Sequence, residues 1–407
     1  MFCEHASMSI EPLFAHLEHD EDRHVTLIES TRATPSVIPP TVADARAVDG
    51  RLHVRLDGVD HVLHPLWILD RSIESSDVDP SSRQRLFEPA DVASDLAVAR
   101  VSFDTTGAIR VAFTDGRSLP ITVQQLSTWL GPDHEAPPVA RPWTSLDALP
   151  TIAWDEVCDD APLRDVLGAF HALGVFVITG TSAVPGSLHD IARRFGRVSP
   201  TSFGSLFDVR SVPDPEDLAY ATVELSAHLD QPYRQPTPGI QLLHTLVNDA
   251  PGGESTVVDG LAAIDALRRH DQHWFTTLCE LPIEFRYDIG CDVVVATAPM
   301  IEVDADGRLR QFRFSPRLDF APYADPDVLD AYYGARRWLA DWLNDPAHQF
   351  EFKMSPGDVL VVDNHRVLHG RRAFASVGGH RHLQGCYIDH DGPATMWRLL
   401  SRQQRRI

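Results

Sequence analysis

His228, Asp230 and His369 are the residues whose types and spacing could do chemistry. In the segment AHLDQP, His228 and Asp230 are two positions apart, so on an extended strand both side chains leave the same face and can reach one ion. His369 comes much later, in DNHRVLHGRR, delivered by the apolar run DVLVVDN. Two imidazoles and one carboxylate on one face leave coordination positions open. Non-haem Fe(II) centres use such a set to admit a co-substrate and O₂ together, whereas zinc more often takes a closed tetrahedral shell or other ligands. The H-x-D pair is weak evidence in a chain with 20 histidines, where a surface His and Asp would account for it. Arg381 adds weight: it lies twelve residues after His369, in a stretch expected to be a neighbouring strand. Its guanidinium could clamp the far carboxylate of a dicarboxylate through two parallel hydrogen bonds, although by itself it would read as an ordinary exposed ion pair.

Residues so far apart meet only if the elements between them fold back on one another. Beyond about residue 150 the pattern predicts a helix in DAPLRDVLGAFHAL, a buried strand in GVFVITG and a helix in SLHDIARRFG. Several β-type runs follow, among them GIQLLHTLV, STVVDG, PIEFRYDI, DVLVVDN and RHLQGCYID, interrupted by one clear helix, DPDVLDAYYGARRWLADWLNDP, with an Asp to cap it. Many short strands with few crossover helices predict a mainly β fold with flanking helices, a double-sheet jelly roll or barrel. The alternating stretches upstream, such as VARVSFDTTGAIRVAFTDGRSLPI, predict a small β-rich amino-terminal domain. The expected organisation is an extension over 1–46, the β-rich domain over 47–125, a Pro-rich linker over 126–149 and the second domain over 150–407.

A chain of 407 residues can bury a substantial core without staples. The net charge of -22 disfavours nonspecific attraction to nucleic acid or anionic membrane, and no apolar run approaches the length of a membrane span. A small-molecule partner fits better. The five cysteines are scattered, with no C-x-x-C pair, so a reduced, cytoplasmic setting is expected.

Three stretches carry a resemblance. LAYATVELSAHLDQPYRQPTPGIQLLHTLVNDAPGGESTVVDG, FKMSPGDVLVVDNHRVLHGRRAF and RHLQGCYIDHDG, in this order and spacing, resemble the γ-butyrobetaine and trimethyllysine hydroxylase group of 2-oxoglutarate oxygenases related to taurine dioxygenase. The resemblance implies a double-stranded β-helix with Fe(II) on His228, Asp230 and His369. It implies 2-oxoglutarate held by Arg381 and a hydroxyl from Ser255 (for which a turn-stabilising role is the alternative), with O₂ as the second co-substrate. The implied reaction releases succinate and CO₂ and hydroxylates an unactivated C–H bond. A desaturase, cyclase or demethylase of the same fold, or a non-catalytic binding protein, are the rival readings. A homodimer is also implied.

The aromatic cluster that surrounds a trimethylammonium head in the betaine hydroxylases falls, by motif, on Phe203, Phe207, Tyr220 and Tyr387. Ring faces can replace water around such a cation, and a plain hydrophobic wall is the competing reading. Asp217 stands where the betaine enzymes have an asparagine that receives the substrate carboxylate; an anion there repels a carboxylate and attracts a cation. This departure points to a cationic or amine-like metabolite and away from γ-butyrobetaine itself, with a surface-facing aspartate in the PEDLAY loop as the competing reading. The family's amino-terminal zinc site uses three cysteines and a histidine, but LHPLWILDRSIESSDVDP has no cysteine, so no structural zinc is expected there.

Overall fold

The computed structural model describes residues 41–105, 107–131, 136–210, 222–289, 292–375 and 379–404. The chain divides into two compact units, 1–132 and 133–407. The first holds β1 (Val42–Val48), β2 (Arg51–Leu56), β3 (Val59–Leu63), α1 (Pro65–Leu69), β4 (Val98–Phe103), β5 (Ile109–Phe113), β6 (Ser118–Ile121) and α2 (Val123–Leu130). They form two three-stranded sheets, β1-β2-β3 and β4-β5-β6. The pairs Asp49-Gly50 and Asp57-Gly58 take positive φ at both residues, the backbone that closes a tight hairpin with the strands' own twist. Alternate residues of β2 and β5, including Leu52, Val54, Ile109 and Val111, are buried in a shared core. β1 begins inside the stretch expected to be an extension. α2 reaches into the expected linker, because Thr122 and Gln125 form a reciprocal capping box that starts a helix there.

The second unit opens with β7 (Thr151–Ala153), α3 (Asp160–Leu173), β8 (Val175–Thr179), α4 (Leu188–Arg193), β9 (Phe207–Arg210) and β10 (Leu225–His228). It continues through β11 (Ile240–Asn248), β12 (Ser255–Asp259), α5 (Gly260–His270), α6 (Gln272–Glu280), β13 (Ile283–Ile289), β14 (Asp292–Ala298), β15 (Ile301–Val303), β16 (Leu309–Phe312) and β17 (Asp319–Phe320). It closes with α7 (Pro326–Asn344), β18 (Phe350–Phe352), β19 (Val359–Asp363), β20 (Val367–Arg371), β21 (Arg381–Ile388) and α8 (Gly392–Gln404). The mainly β character with flanking helices is as expected. α3, β8, α4 and α7 fall where the apolar periodicity puts them, and Asp325 caps α7 by accepting from the Asp327 N–H.

Two sheets of this unit face each other. One has six strands in the order β7-β8-β19-β11-β21-β9, the other four in the order β10-β20-β12-β18. The alternation of side chains sorts their residues into layers. Val359 and Val361 of β19 meet Leu163, Leu167 and Phe170 of α3 in an outer core. Leu360 and Val362, one residue out of step, meet Val257 and Val367 of the second sheet between the two. Behind that second sheet, Val258 and Leu368 pack on a third cluster built from α5, α6 and α7. No helix among the described residues is long and apolar enough to cross a membrane.

At the edge of this inner layer lies a buried ion pair. Arg366 donates to both carboxylate oxygens of Asp259 at 2.8 and 3.0 Å, and to the carbonyls of Ala172 and Arg141. Asp259 also accepts from the backbone N–H groups of Trp143 and Leu261, capping α5. Gly260 follows because a Cβ there would lie 2.4 Å from the Arg366 carbonyl oxygen. Breaking a pair of this kind leaves an uncompensated buried charge, so Arg366→Leu is expected to lower stability by about 3–5 kcal/mol in urea denaturation. A denaturation midpoint equal to wild type would show that the pair does not hold these elements.

Candidate active site

β10 and β20 are antiparallel neighbours, and their register sets His228 directly across from His369. The two rings lie 4.5 Å apart between centroids. Asp230 is not on the strand with His228, as the H-x-D spacing led us to expect: β10 ends at His228, and the chain bends immediately after. What carries Asp230 round to the histidines is a clamp from a distant turn. The Asn364 carboxamide accepts from the Asp230 N–H at 2.8 Å and donates to the Asp230 carbonyl at 3.0 Å. Leu229 is tied to the Phe314 carbonyl at 2.9 Å.

The result is a convergent donor set. Asp230 Oδ1 lies 3.5 Å from His228 Nε2 and 3.8 Å from His369 Nε2, and one ligand atom from each residue falls within 4.8 Å of the others. Bonds of about 2.1 Å from each could meet at one divalent ion. His228 Nδ1 faces the Ser226 carbonyl at 2.9 Å, which places the proton there and leaves Nε2 free. Burial and the neighbouring His369 push His228 down to about 4, so it is neutral and able to ligate at ordinary pH. Burial opposes ionisation of Asp230, but the imidazoles and the Tyr387 hydroxyl outweigh it and hold the carboxyl below its usual range. The other Asp230 oxygen, Oδ2, accepts from the Tyr387 hydroxyl at 2.7 Å and from the Gln241 amide. Only Oδ1 remains for a metal.

Two cavities of about 100 Å³ each border this donor set. The first is lined by Ser255, Arg371 and Arg381 with Leu225, Leu243 and Leu383. Ser255 pairs with Arg371 in the β12–β20 register, and Arg381 opens β21. Burial pushes the Arg381 guanidinium down to about 9, with the Arg371 charge adding to the shift, and its buried Nε has no hydrogen-bond partner. Burial pushes Arg371 down to about 10. Two desolvated guanidiniums in an apolar recess form a site for a carboxylate, and a dicarboxylate co-substrate fits that chemistry.

The second cavity is lined by Phe203, Phe207, Tyr233, Tyr287 and Tyr387, with Arg317 and Ser315. Tyr233 and Tyr287 stack at 4.9 Å, and Phe207 stacks on Tyr387 at 5.3 Å. Phe207 has room for its ring only because the facing β21 residue is Gly385, where a Cβ would lie 2.3 Å from the ring. Asp217 and Tyr220, expected at this pocket, lie outside the described residues. Sequence reasoning missed Gln241, Asn364, Arg371, Tyr233, Tyr287 and Arg317. Arg371 had a usable signal: two residues after His369 on one strand, it must share that residue's face. Nothing in the residue types or spacing of the others marks them as facing the site, even where they stand inside the stretches that carry the resemblance.

Comparison with known proteins agrees with this geometry. Residues 140–387 match the family described as taurine catabolism dioxygenase TauD, TfdA family. The gamma-butyrobetaine dioxygenase of Pseudomonas sp. (strain AK-1) is 34% identical over 362 residues, 87% of this chain and 94% of the relative. Dioxygenase str8 of Strobilurus tenacellus is 29% identical, over 81% of this chain and 82% of its own. The mitochondrial trimethyllysine dioxygenase of Gallus gallus is 26% identical, over 83% of each. Fold, donor set and relatives define a 2-oxoglutarate-dependent dioxygenase that works with Fe(II). The chain belongs to the TauD, TfdA family.

Partners that orient a ligating group are worth about 10–100-fold in metal affinity. Tyr387→Phe, which strips a hydrogen bond from Asp230 Oδ2, is therefore expected to weaken Fe(II) binding by about that factor in an anaerobic titration. An unaltered binding curve would mean that the Asn364 clamp and the Gln241 amide position the carboxylate without the Tyr387 hydroxyl.

Proposed function

We propose that this enzyme hydroxylates an unactivated C–H bond of a small, betaine- or amine-like metabolite, releasing succinate and CO₂ from 2-oxoglutarate. The observation that carries this reading is that one donor set borders two cavities of opposite character, a cationic recess and an aromatic chamber. His228, Asp230 and His369 would hold the iron, which when bound supplies O₂ activation coupled to decarboxylation of the keto acid. Arg381 and the Ser255 hydroxyl would receive the far carboxylate of 2-oxoglutarate, and Arg371 adds positive potential beside them. Leu225, Leu243 and Leu383 keep water from that carboxylate and so strengthen its pairing. Gln241 and Tyr387 restrict Asp230 to one oxygen, which keeps further positions on the ion open. The two facing sheets would be the double-stranded β-helix of the oxygenase domain, preceded by the β-rich amino-terminal domain.

Substrate would enter the aromatic chamber. Phe203, Phe207, Tyr233, Tyr287 and Tyr387 offer ring faces to a cation that cannot donate hydrogen bonds. Arg317 supplies a guanidinium at the same chamber, which favours a zwitterion over a simple cation. The relatives' printed substrates, γ-butyrobetaine and trimethyllysine, carry both features in one small molecule and support this class.

The decisive experiment incubates the Fe(II)-loaded enzyme with 2-oxoglutarate and a panel of betaines and amines, measuring succinate and identifying the product by mass spectrometry. A product that gains one oxygen supports hydroxylation, and one that loses two hydrogens would make the enzyme a desaturase. Arg381→Met is expected to raise the KM for 2-oxoglutarate about 10–100-fold, from the loss of a charge-assisted bond of about 1.5–3 kcal/mol. Tyr287→Leu should raise the KM of a trimethylammonium substrate about 2–30-fold, as cation–π energies of about 0.5–2 kcal/mol require, and spare its neutral tert-butyl isostere. Equal losses for both would leave the rings as a plain apolar wall.

A further inference from the structure

We propose that Asp363, His365 and His390 form a second site for a divalent transition metal, separate from the iron donors. Asp363 ends β19, His365 follows in the turn to β20, and His390 lies just past the end of β21. β19 and β21 are not neighbours; β11 runs between them, and its Ile240 pairs with Asp363 on one side and Ile388 on the other. The residue before Ile240 lets the outer strands' ends meet. It is Gly239, where a Cβ would lie 2.5 Å from the Cβ of His390 and 2.6 Å from its backbone nitrogen. Any side chain there would hold His390 away from Asp363.

Across that glycine the three side chains gather. His390 Nε2 lies 3.2 Å from Asp363 Oδ1, and the His365 and His390 rings stack at 4.5 Å. One donor atom from each residue falls within 4.8 Å of the other two. His365 is oriented as a metal-binding imidazole usually is: its Nε2 faces the Thr237 carbonyl at 3.2 Å, which takes the ring's proton and leaves Nδ1 with a lone pair. His228 shows the same device with its nitrogens exchanged. All three residues border a cavity of about 600 Å³, roomy enough for waters to complete a coordination shell. Two imidazoles and one carboxylate select Zn²⁺, Co²⁺ or Ni²⁺ over Mg²⁺ or Ca²⁺, which prefer all-oxygen shells.

The site has a structural consequence. Asp363 and His365 flank Asn364, whose carboxamide clamps the backbone of Asp230. An ion joining the flanking residues to His390 would fix that clamp in place, so the second metal would stiffen the carboxylate of the first.

The test is metal stoichiometry, read without turnover. Metal-free full-length protein is titrated with Zn²⁺, passed through a desalting column and assayed by elemental analysis. Two equivalents are expected for wild type, and one each for His369→Ala, His390→Ala and His365→Phe. His365→Phe keeps a stacking ring while removing the Nδ1 donor and the contact to the Thr237 carbonyl, so it serves even where His390→Ala disturbs the fold. The double variant His369→Ala/His365→Phe should retain none. In His369→Ala, Zn²⁺ should still raise the Tm, because an ion that binds only the native state stabilises it. One equivalent in wild type that vanishes in His369→Ala would overturn the proposal and leave these residues as a hydrogen-bonded stack. So would two equivalents in His365→Phe.

Discussion

The placement of Asp230 depends on a hydrogen-bonding arrangement that no strand ladder provides. β10 delivers His228 in register with His369 and then stops, so the third donor must be brought round by something else. Asn364 does this from the turn between β19 and β20, taking the Asp230 N–H and giving a bond to its carbonyl. A third contact, from the same amide nitrogen to the Pro238 carbonyl at 2.9 Å, ties the clamp to the chain entering β11. Asn364 is itself fully buried, so its polar atoms have no water to fall back on and the geometry is enforced by the cost of leaving them unpaired.

Around this fixed point, strand alternation does the sorting. His369 and Arg371 share one face of β20, Ser255 and Val257 share one face of β12, and Leu383 and Tyr387 share one face of β21; on the opposite faces Leu368, Val258, Cys386 and Ile388 enter the flanking cores. A one-residue slip in β20 would set Leu368 or Gly370 where His369 stands. The register is secured by the apolar layers on both sides, with Leu368 and Val258 pinned to the helical cluster and Val367 and Val257 to the other sheet. Packing and catalysis are therefore specified by the same pattern.

Much of this could be read in the sequence, for physical reasons that differ by element. α3 and α7 were legible because their apolar residues recur at helical spacing, α7 behind a capping Asp, and the β19 run VLVVD because a strand buried on both faces is continuously apolar. α5 and α6 were not: they follow β12 without a break, and Asp259 is at once the last residue of that strand and the cap of the helix. The donors His228, Asp230 and His369 were legible from residue type and spacing, although the strand assigned to Asp230 was not, since its position depends on Asn364. Gln241, Tyr233 and Tyr287 do not stand out within stretches that read as strands or carry the resemblance, because which of their residues face the site depends on the three-dimensional path of the chain.

Gly385 is a residue without a side chain facing a residue with a large one. The Phe207 ring occupies the space that a methyl at position 385 would take, and the ring in turn forms a wall shared by both small cavities. The width of the chamber is thus set in part by a β21 residue that contributes no side chain of its own. A single added carbon at this position would have to displace the Phe207 ring, and with it a wall of both cavities and the stacking partner of Tyr387.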